Sequence, residues 1–189
     1  MRELRQWLRK TATDDVSPAA TTRVLMVCMG NICRSPMAEG VLRAKLRQAG
    51  LHPRVLVDSA GTHGYHTGEA PDPRAIRAAA RRGVELAGLR ARPVQAEDFS
   101  RFHWLLAMDG ANLAWLRSHQ PEGAAPRVGL LMEHARRHAG ALEVPDPYYG
   151  AAAGFEHVFD LVDDACEGLV ARLAAELAAG PAGGVQGEG

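Results

Sequence analysis

Cys28 and Arg34, with a Ser-Pro pair directly behind them, are the residues of this sequence best spaced to do chemistry. They lie in Val-Leu-Met-Val-Cys-Met-Gly-Asn-Ile-Cys-Arg-Ser-Pro, residues 24–36. An apolar run with the pattern of a buried strand feeds a tight loop, and a helix follows. Ser35 suits the N-cap and Pro36 the first helical position, where a missing N–H costs nothing. The backbone N–H groups of Met29, Gly30, Asn31, Ile32, Cys33, Arg34 and Ser35 can then converge on one point, with the positive end of the helix dipole behind them. That makes a phosphate-binding cradle for one tetrahedral oxyanion. Asn31 fits the sharp turn by taking a positive φ. A cysteine facing such a cradle is favoured as thiolate, its nucleophilic form. The planar fork of Arg34 matches two equatorial oxygens of a phosphoryl group, whose charge spreads in the transition state. Ser35 is also placed to donate a hydrogen bond to the departing sulfur. Neither a Walker A loop nor a G-x-G-x-x-G run occurs, so competing phosphate loops drop out.

A thiolate attacking phosphorus needs a proton donor for the leaving group, and water later needs a base. One carboxyl group serves both steps. Asp72, before Pro73 and a clear helical pattern, reads as an N-cap. Asp109 ends one apolar run and begins a helix. Asp146 sits in a Pro-bounded loop that runs into Tyr148-Tyr149-Gly150, attached to neither strand nor helix. Asp146 is therefore the leading candidate, with Asp109 behind it.

These groups need a scaffold, and the chain supplies alternating short apolar runs and helical patterns. Strands are expected at 24–27, 54–58, 102–108 and 127–131, and helices at 36–49, 73–82, 111–118 and 155–179. The last helix carries Val158, Phe159, Val162, Cys166, Leu169, Val170 and Leu173 at helical spacing. Such alternation implies an α/β fold with a parallel sheet and helices on both faces. Ligands then sit beyond the C-terminal ends of the strands, where Cys28 falls. The folded domain is expected over 21–179. Residues 1–20 read as a partly ordered extension rather than a short helix near Leu4–Leu8, and the Gly-rich 180–189 as a flexible tail.

Composition bounds the rest. The 189 residues are 47% hydrophobic and 23% charged, with a formal net charge of zero, so no global field draws the chain to nucleic acid or membrane. Three cysteines, Cys28, Cys33 and Cys166, are too few for a disulfide scaffold. The N-terminus lacks the apolar core of a signal peptide, and no run reaches the ~20 apolar residues of a membrane span. A cytoplasmic protein is expected, without membrane insertion. His134 and His138 are four apart, but with Arg136 and Arg137 between them and no third ligand they read as a solvated helix face. His63 and His66 read as polar loop residues.

The loop, with its C-x5-R-S signature, resembles that of the low-molecular-weight protein tyrosine phosphatases. The resemblance extends over 23–175, through Val57-Asp58-Ser59-Ala60-Gly61-Thr62, Ala107-Met108-Asp109-Gly110-Ala111-Asn112-Leu113 and Val144-Pro145-Asp146-Pro147-Tyr148-Tyr149-Gly150. It implies a three-layer sandwich around a four-stranded parallel sheet, no metal or other cofactor, and hydrolysis of phosphotyrosine through a phosphocysteine intermediate. It makes Cys28 the nucleophile and Asp146 the general acid. Tyr65, Tyr148 and Tyr149 become pocket walls, and Ser59 a support for the loop asparagine. Cys33 becomes a reversible redox partner of Cys28. The implied partner is a phosphotyrosine protein, a tyrosine kinase among them. Ile32 stands where arginine phosphatases of this family carry Thr, which favours phosphotyrosine. Arsenate reduction would need a cysteine relay, and Cys166 is alone on an apolar helix face. Leu89 stands where relatives carry a histidine that completes the loop network. That substitution is the feature favouring the remaining alternative, a phosphoprotein-binding module without turnover.

Overall fold

A computed structural model describes residues 22–179. The expected extension at 1–20, with any helix near Leu4–Leu8, and the tail at 180–189 lie outside the described residues. Strand β1 (Thr22–Cys28) leads into helix α1 (Arg34–Gln48), then β2 (Val55–Gly61), α2 (Pro73–Arg81) and the single turn α3 (Asp98–Arg101). β3 (Trp104–Ala107), α4 (Gly110–His119), β4 (Arg127–Leu130), a 3-10 turn at Leu131–His134 and the long α5 (Ala152–Ala179) complete it. The four strands pair in parallel in the order β2-β1-β3-β4.

β1 lies inside the sheet, and its residues 24–28 are all buried. A continuous apolar run, Val-Leu-Met-Val-Cys, is what a strand covered on both faces requires. Alternation then sorts the side chains. Val24, Met26 and Cys28 join the larger core beneath α1, α2 and α5, while Leu25 and Val27 join Phe99, Phe102, Leu105 and Leu116 on the other side. The result is the three-layer α/β sandwich expected from the sequence.

Several boundaries differ from expectation. β2 runs three residues further, to Gly61, because it pairs along the whole of β1 from Thr22↔Val55 to Cys28↔Gly61. Ser59, Ala60 and Gly61 have little strand preference of their own, so the pairing decides. β3 is shorter than the apolar run 102–108 that announced it, and α5 begins three residues early, at Ala152. His134 and His138 share no helix. His134 packs edge-on against Trp104, and His138 bonds Asp164 on α5. The carboxylate of Asp164 also accepts the N–H groups of Arg136, Arg137 and His138, which ties the segment after β4 to α5. Among the described residues no helix is long and apolar enough to cross a membrane.

Candidate active site

Cys28 ends β1, in register with Gly61 at the end of β2. The chain then turns through Met29–Cys33 into α1, and three hydrogen bonds fix the turn to its neighbours. Cys28 O accepts from Thr62 N at 2.8 Å, Met29 O from His63 N at 3.0 Å, and Ile32 O from Asp72 N at 2.8 Å. The approach is close enough that a Cβ on Gly61 would come within 2.6 Å of the Met29 carbonyl oxygen and 3.2 Å of Asn31 N. Only glycine fits there. Asn31 takes φ 55°, as the turn demanded.

α1 begins at Arg34, with Cys33 at the N-cap and no side-chain cap. Ser35 therefore lies inside the first turn, contrary to the N-cap role its position suggested. The physical reason is that its hydroxyl is already committed. It lies 3.0 Å from Cys28 Sγ, accepts from Asn31 Nδ2 at 2.9 Å, and reaches the Ala60 carbonyl at 3.3 Å. Asn31 N also points at Cys28 Sγ, at 3.3 Å. The sulfur thus has two hydrogen-bond partners on the loop side.

Asn31 is satisfied through its whole amide. Nδ2 donates to Ser35 Oγ and to Ser59 Oγ, each at 2.9 Å, and Oδ1 accepts from Arg92 N at 2.9 Å. Ser59 Oγ in turn donates to Glu39 Oε2 at 2.6 Å. The Arg92 backbone is held in turn by Gly61 N, and its guanidinium is shared between Asp58 and Asp98. Leu89 packs partly buried against the core and leaves no gap in this network. Among the described residues the one buried side-chain polar atom without a partner is Asn112 Oδ1, on α4. Glu39 and Arg92 are supports that the sequence reading missed. A carboxylate five residues into a helix shows no pattern until β2 is laid beside it.

Arg34 is 2% exposed and faces two carboxylates. It pairs with Asp109 through Nη1 and with Asp146 Oδ2 through Nη2 at 3.0 Å, and donates to the Val144 carbonyl at 3.2 Å. Burial works against its charge, but Cys28, Asp109 and Asp146 more than restore it, leaving its pKa raised. The three candidate acids are now separable. Asp72 caps α2 and spends both oxygens on Arg74. Asp109 caps α4 through Asn112 N at 2.7 Å and gives its other oxygen to Arg34. Asp146 is the one of the three that lines the pocket, half exposed, with Tyr148 N on Oδ1 at 3.1 Å.

That pocket, of about 420 Å³, has Cys28 and Arg34 at its base with Gly30, Ile32 and Cys33. Its rim carries Met29, Tyr65, Tyr148 and Tyr149, all exposed, and His66, held by Glu69 at 2.8 Å. Tyr65 stacks on His63, and Tyr148 meets Tyr149 edge-on. His66 is a wall residue that the sequence left as a plain loop histidine. The Cys33 thiol is pushed up to about 12, by burial first and then by Asp72 and Cys28, so it stays protonated. Among the described residues no three metal-binding side chains cluster.

The model of the low molecular weight phosphotyrosine protein phosphatase family matches residues 23–179. The chain belongs to that family. It is 46% identical to a low molecular weight protein-tyrosine-phosphatase of Streptomyces coelicolor, over 81% of this chain and 94% of that one. A crystal structure of a protein tyrosine phosphatase from Entamoeba histolytica, with Hepes in the active site, superposes with a TM-score of 0.78. The two are 37% identical, over 82% of this chain and 98% of that one. YfkJ from Bacillus subtilis matches equally well, TM-score 0.78 at 34% identity, over 84% and 98%. With Leu89 where the resemblance led one to expect a histidine, both polar atoms of the loop asparagine's amide still have partners.

The buried base of the network sets a pH dependence. Burial pushes the Glu39 carboxyl up to about 7, outweighing the pull of Arg43 and of the Ser59 hydroxyl. The folded state therefore holds this proton more tightly than the unfolded chain. Its contribution to stability is full below the ordinary carboxylate range and is lost as pH rises through about 7. Glu39→Gln cannot ionise and escapes that loss. Thermal unfolding of the two proteins should show Tm of the variant gaining on the wild type from about pH 5 to about pH 8. Parallel Tm–pH curves would contradict this.

Proposed function

We propose that Cys28, Arg34 and Asp146 carry out the family's reaction, hydrolysis of phosphotyrosine in proteins through a phosphocysteine intermediate. One observation carries the assignment: a single pocket holds Cys28 and a half-exposed carboxyl, Asp146, with Arg34 paired to that carboxyl. The entering phosphoryl group takes the Arg34 guanidinium and frees Asp146 from it. The Cys28 thiolate attacks phosphorus, the P–O bond breaks, and Asp146 gives its proton to the leaving phenolate. Water then attacks the phosphocysteine, Asp146 takes a proton from it, and inorganic phosphate forms. The departing sulfur is received by the Ser35 hydroxyl and the Asn31 N–H, both already in place. The backbone N–H groups of Met29–Ser35 hold the phosphoryl oxygens throughout.

Tyr65, Tyr148 and Tyr149 raise the pocket rim around a phenyl ring. A phosphoserine side chain is too short to bring its phosphate to the base of such a slot. Ile32, 8% exposed, presents an apolar wall and supports phosphotyrosine over phosphoarginine. Cys166 is fully buried against the Ala38 carbonyl, which speaks against an arsenate-reducing relay. We place the protein in the cytoplasm, in keeping with three free cysteines, and a tyrosine kinase is one phosphotyrosine protein of suitable chemistry. Residues 21–179 serve as the catalytic domain in this reading.

Purified protein should hydrolyse a phosphotyrosine peptide without added metal and leave phosphoserine and phosphoarginine peptides intact. Cys28→Ser should abolish turnover, and Asp146→Asn should lower kcat/KM by about 10²–10³. Full turnover by Cys28→Ser would overturn the assignment.

Cys33 also makes Cys28 oxidation reversible. Peroxide converts the Cys28 thiolate to the sulfenic acid; Cys33 then gives up its proton, its sulfur attacks the Cys28 sulfur, and the S–OH bond breaks, the hydroxide leaving as water with that proton. Mild peroxide should inactivate the enzyme and added thiol restore it. Recovery that persists undiminished in Cys33→Ser would rule this out.

A further inference from the structure

Hydrolysis on this plan needs two loops in fixed register, the one that carries Cys28 and the one that carries Asp146. Both are fastened to the N-terminus of α2. Asp72 N donates to the Ile32 carbonyl at 2.8 Å, which fixes the first loop to Asp72. The Asp72 carboxylate is then filled by Arg74, whose backbone N and Nε reach Oδ1 at 2.7 and 3.0 Å while Nη2 reaches Oδ2 at 2.8 Å. Capping α2 needs only the backbone N–H of Arg74. The guanidinium goes further. Its Nη1 donates to the Gly150 carbonyl at 3.1 Å, and its plane lies 4.6 Å from the buried ring of Phe155 and 5.9 Å from Tyr148.

Gly150 closes the turn after the acid, since its N–H donates to the Pro147 carbonyl at 3.0 Å. Within that turn Tyr148 N orients Asp146 Oδ1. A continuous path therefore runs from Ile32 through Asp72, Arg74 and Gly150 to Asp146. Among the described residues, two side chains from elsewhere in the fold hydrogen-bond the segment 144–150, Arg34 and Arg74. Once Arg34 turns to the phosphoryl group, Arg74 is the side chain left holding it, beside the backbone bond from Val144 N to the Met108 carbonyl at the start of the segment.

We propose that Arg74 is a positioning residue that keeps Asp146 in register with the leaving-group oxygen. This rests on the reading of Asp146 as the general acid. A misplaced acid harms leaving groups that need a proton and spares those that depart as stable anions. The test compares kcat/KM on phenyl phosphate with kcat/KM on p-nitrophenyl phosphate, in wild type, Arg74→Ala, Arg74→Lys and Asp146→Asn. Inorganic phosphate serves as a competitive inhibitor to report the cradle. Arg74→Ala should lose about tenfold on phenyl phosphate and about twofold on p-nitrophenyl phosphate, with the phosphate inhibition constant unchanged. Arg74→Lys, which keeps a donor and the charge but not the fork, should fall between Arg74→Ala and wild type. Should the alanine variant fail to fold, the lysine variant carries the comparison alone.

Equal losses on both esters, no loss, or weakened phosphate binding would overturn the proposal while the steepened response of Asp146→Asn stood. A flat response in Asp146→Asn would instead sink the reading of the acid itself, and the role of Arg74 with it.

Discussion

Asn31 is the pin on which the site turns. A non-glycine residue at φ 55° costs of the order of 1–3 kcal/mol and persists only where its surroundings insist on it. Here the amide makes three hydrogen bonds, to Ser35, Ser59 and the Arg92 backbone, each worth about 1 kcal/mol net. Glycine would relieve the strain, but it would remove all three bonds. Because Asn31 turns the chain there, its own N–H reaches the Cys28 sulfur and Ser35 falls under the same atom. The surroundings of the Cys28 sulfur are thus set by one residue, directly through its backbone N–H and indirectly through its side chain and Ser35.

The charges around Arg34 follow a division of labour imposed by burial. A guanidinium sealed inside the fold needs compensation, and Asp109 supplies it permanently while also capping α4. Asp146 supplies it only through a half-exposed carboxyl on a loop, so that partner is free to leave. Were both carboxylates fixed, the proposed acid would be locked to the arginine. Were neither present, the arginine would face a bare desolvation cost. Gly61 imposes the matching steric limit from the strand side, where any side chain would press on the loop backbone.

Much of this was legible in the sequence because local signals and tertiary structure agree. The run Val24–Cys28 followed by Arg34-Ser35-Pro36 marked the central strand and the tight loop that joins it to α1. The capping of α2 by Asp72 and of α4 by Asp109 was also written locally, and so was the positive φ at Asn31. What escaped depends on pairs of segments far apart in the chain. Glu39 matters because β2 brings Ser59 over α1, and Arg92 because its peptide N–H lies across from a residue 61 positions earlier. Ser35 was misread as a cap because its better partner, the Cys28 sulfur, is invisible until the loop closes. The effect of Leu89 was likewise beyond the sequence. A missing histidine is a defect only if the asparagine then lacks a partner, and Arg92 shows that it does not.

The central claim is that phosphate passes through a covalent bond to Cys28. Rapid quenching of Asp146→Asn during turnover of p-nitrophenyl phosphate, whose leaving group departs without the acid so that breakdown is the step slowed, followed by mass analysis of its fragments, tests it directly. The account predicts a phosphorylated fragment containing Cys28 that forms and decays in step with turnover. Phosphate released with no labelled enzyme, or label carried by another residue, would contradict it.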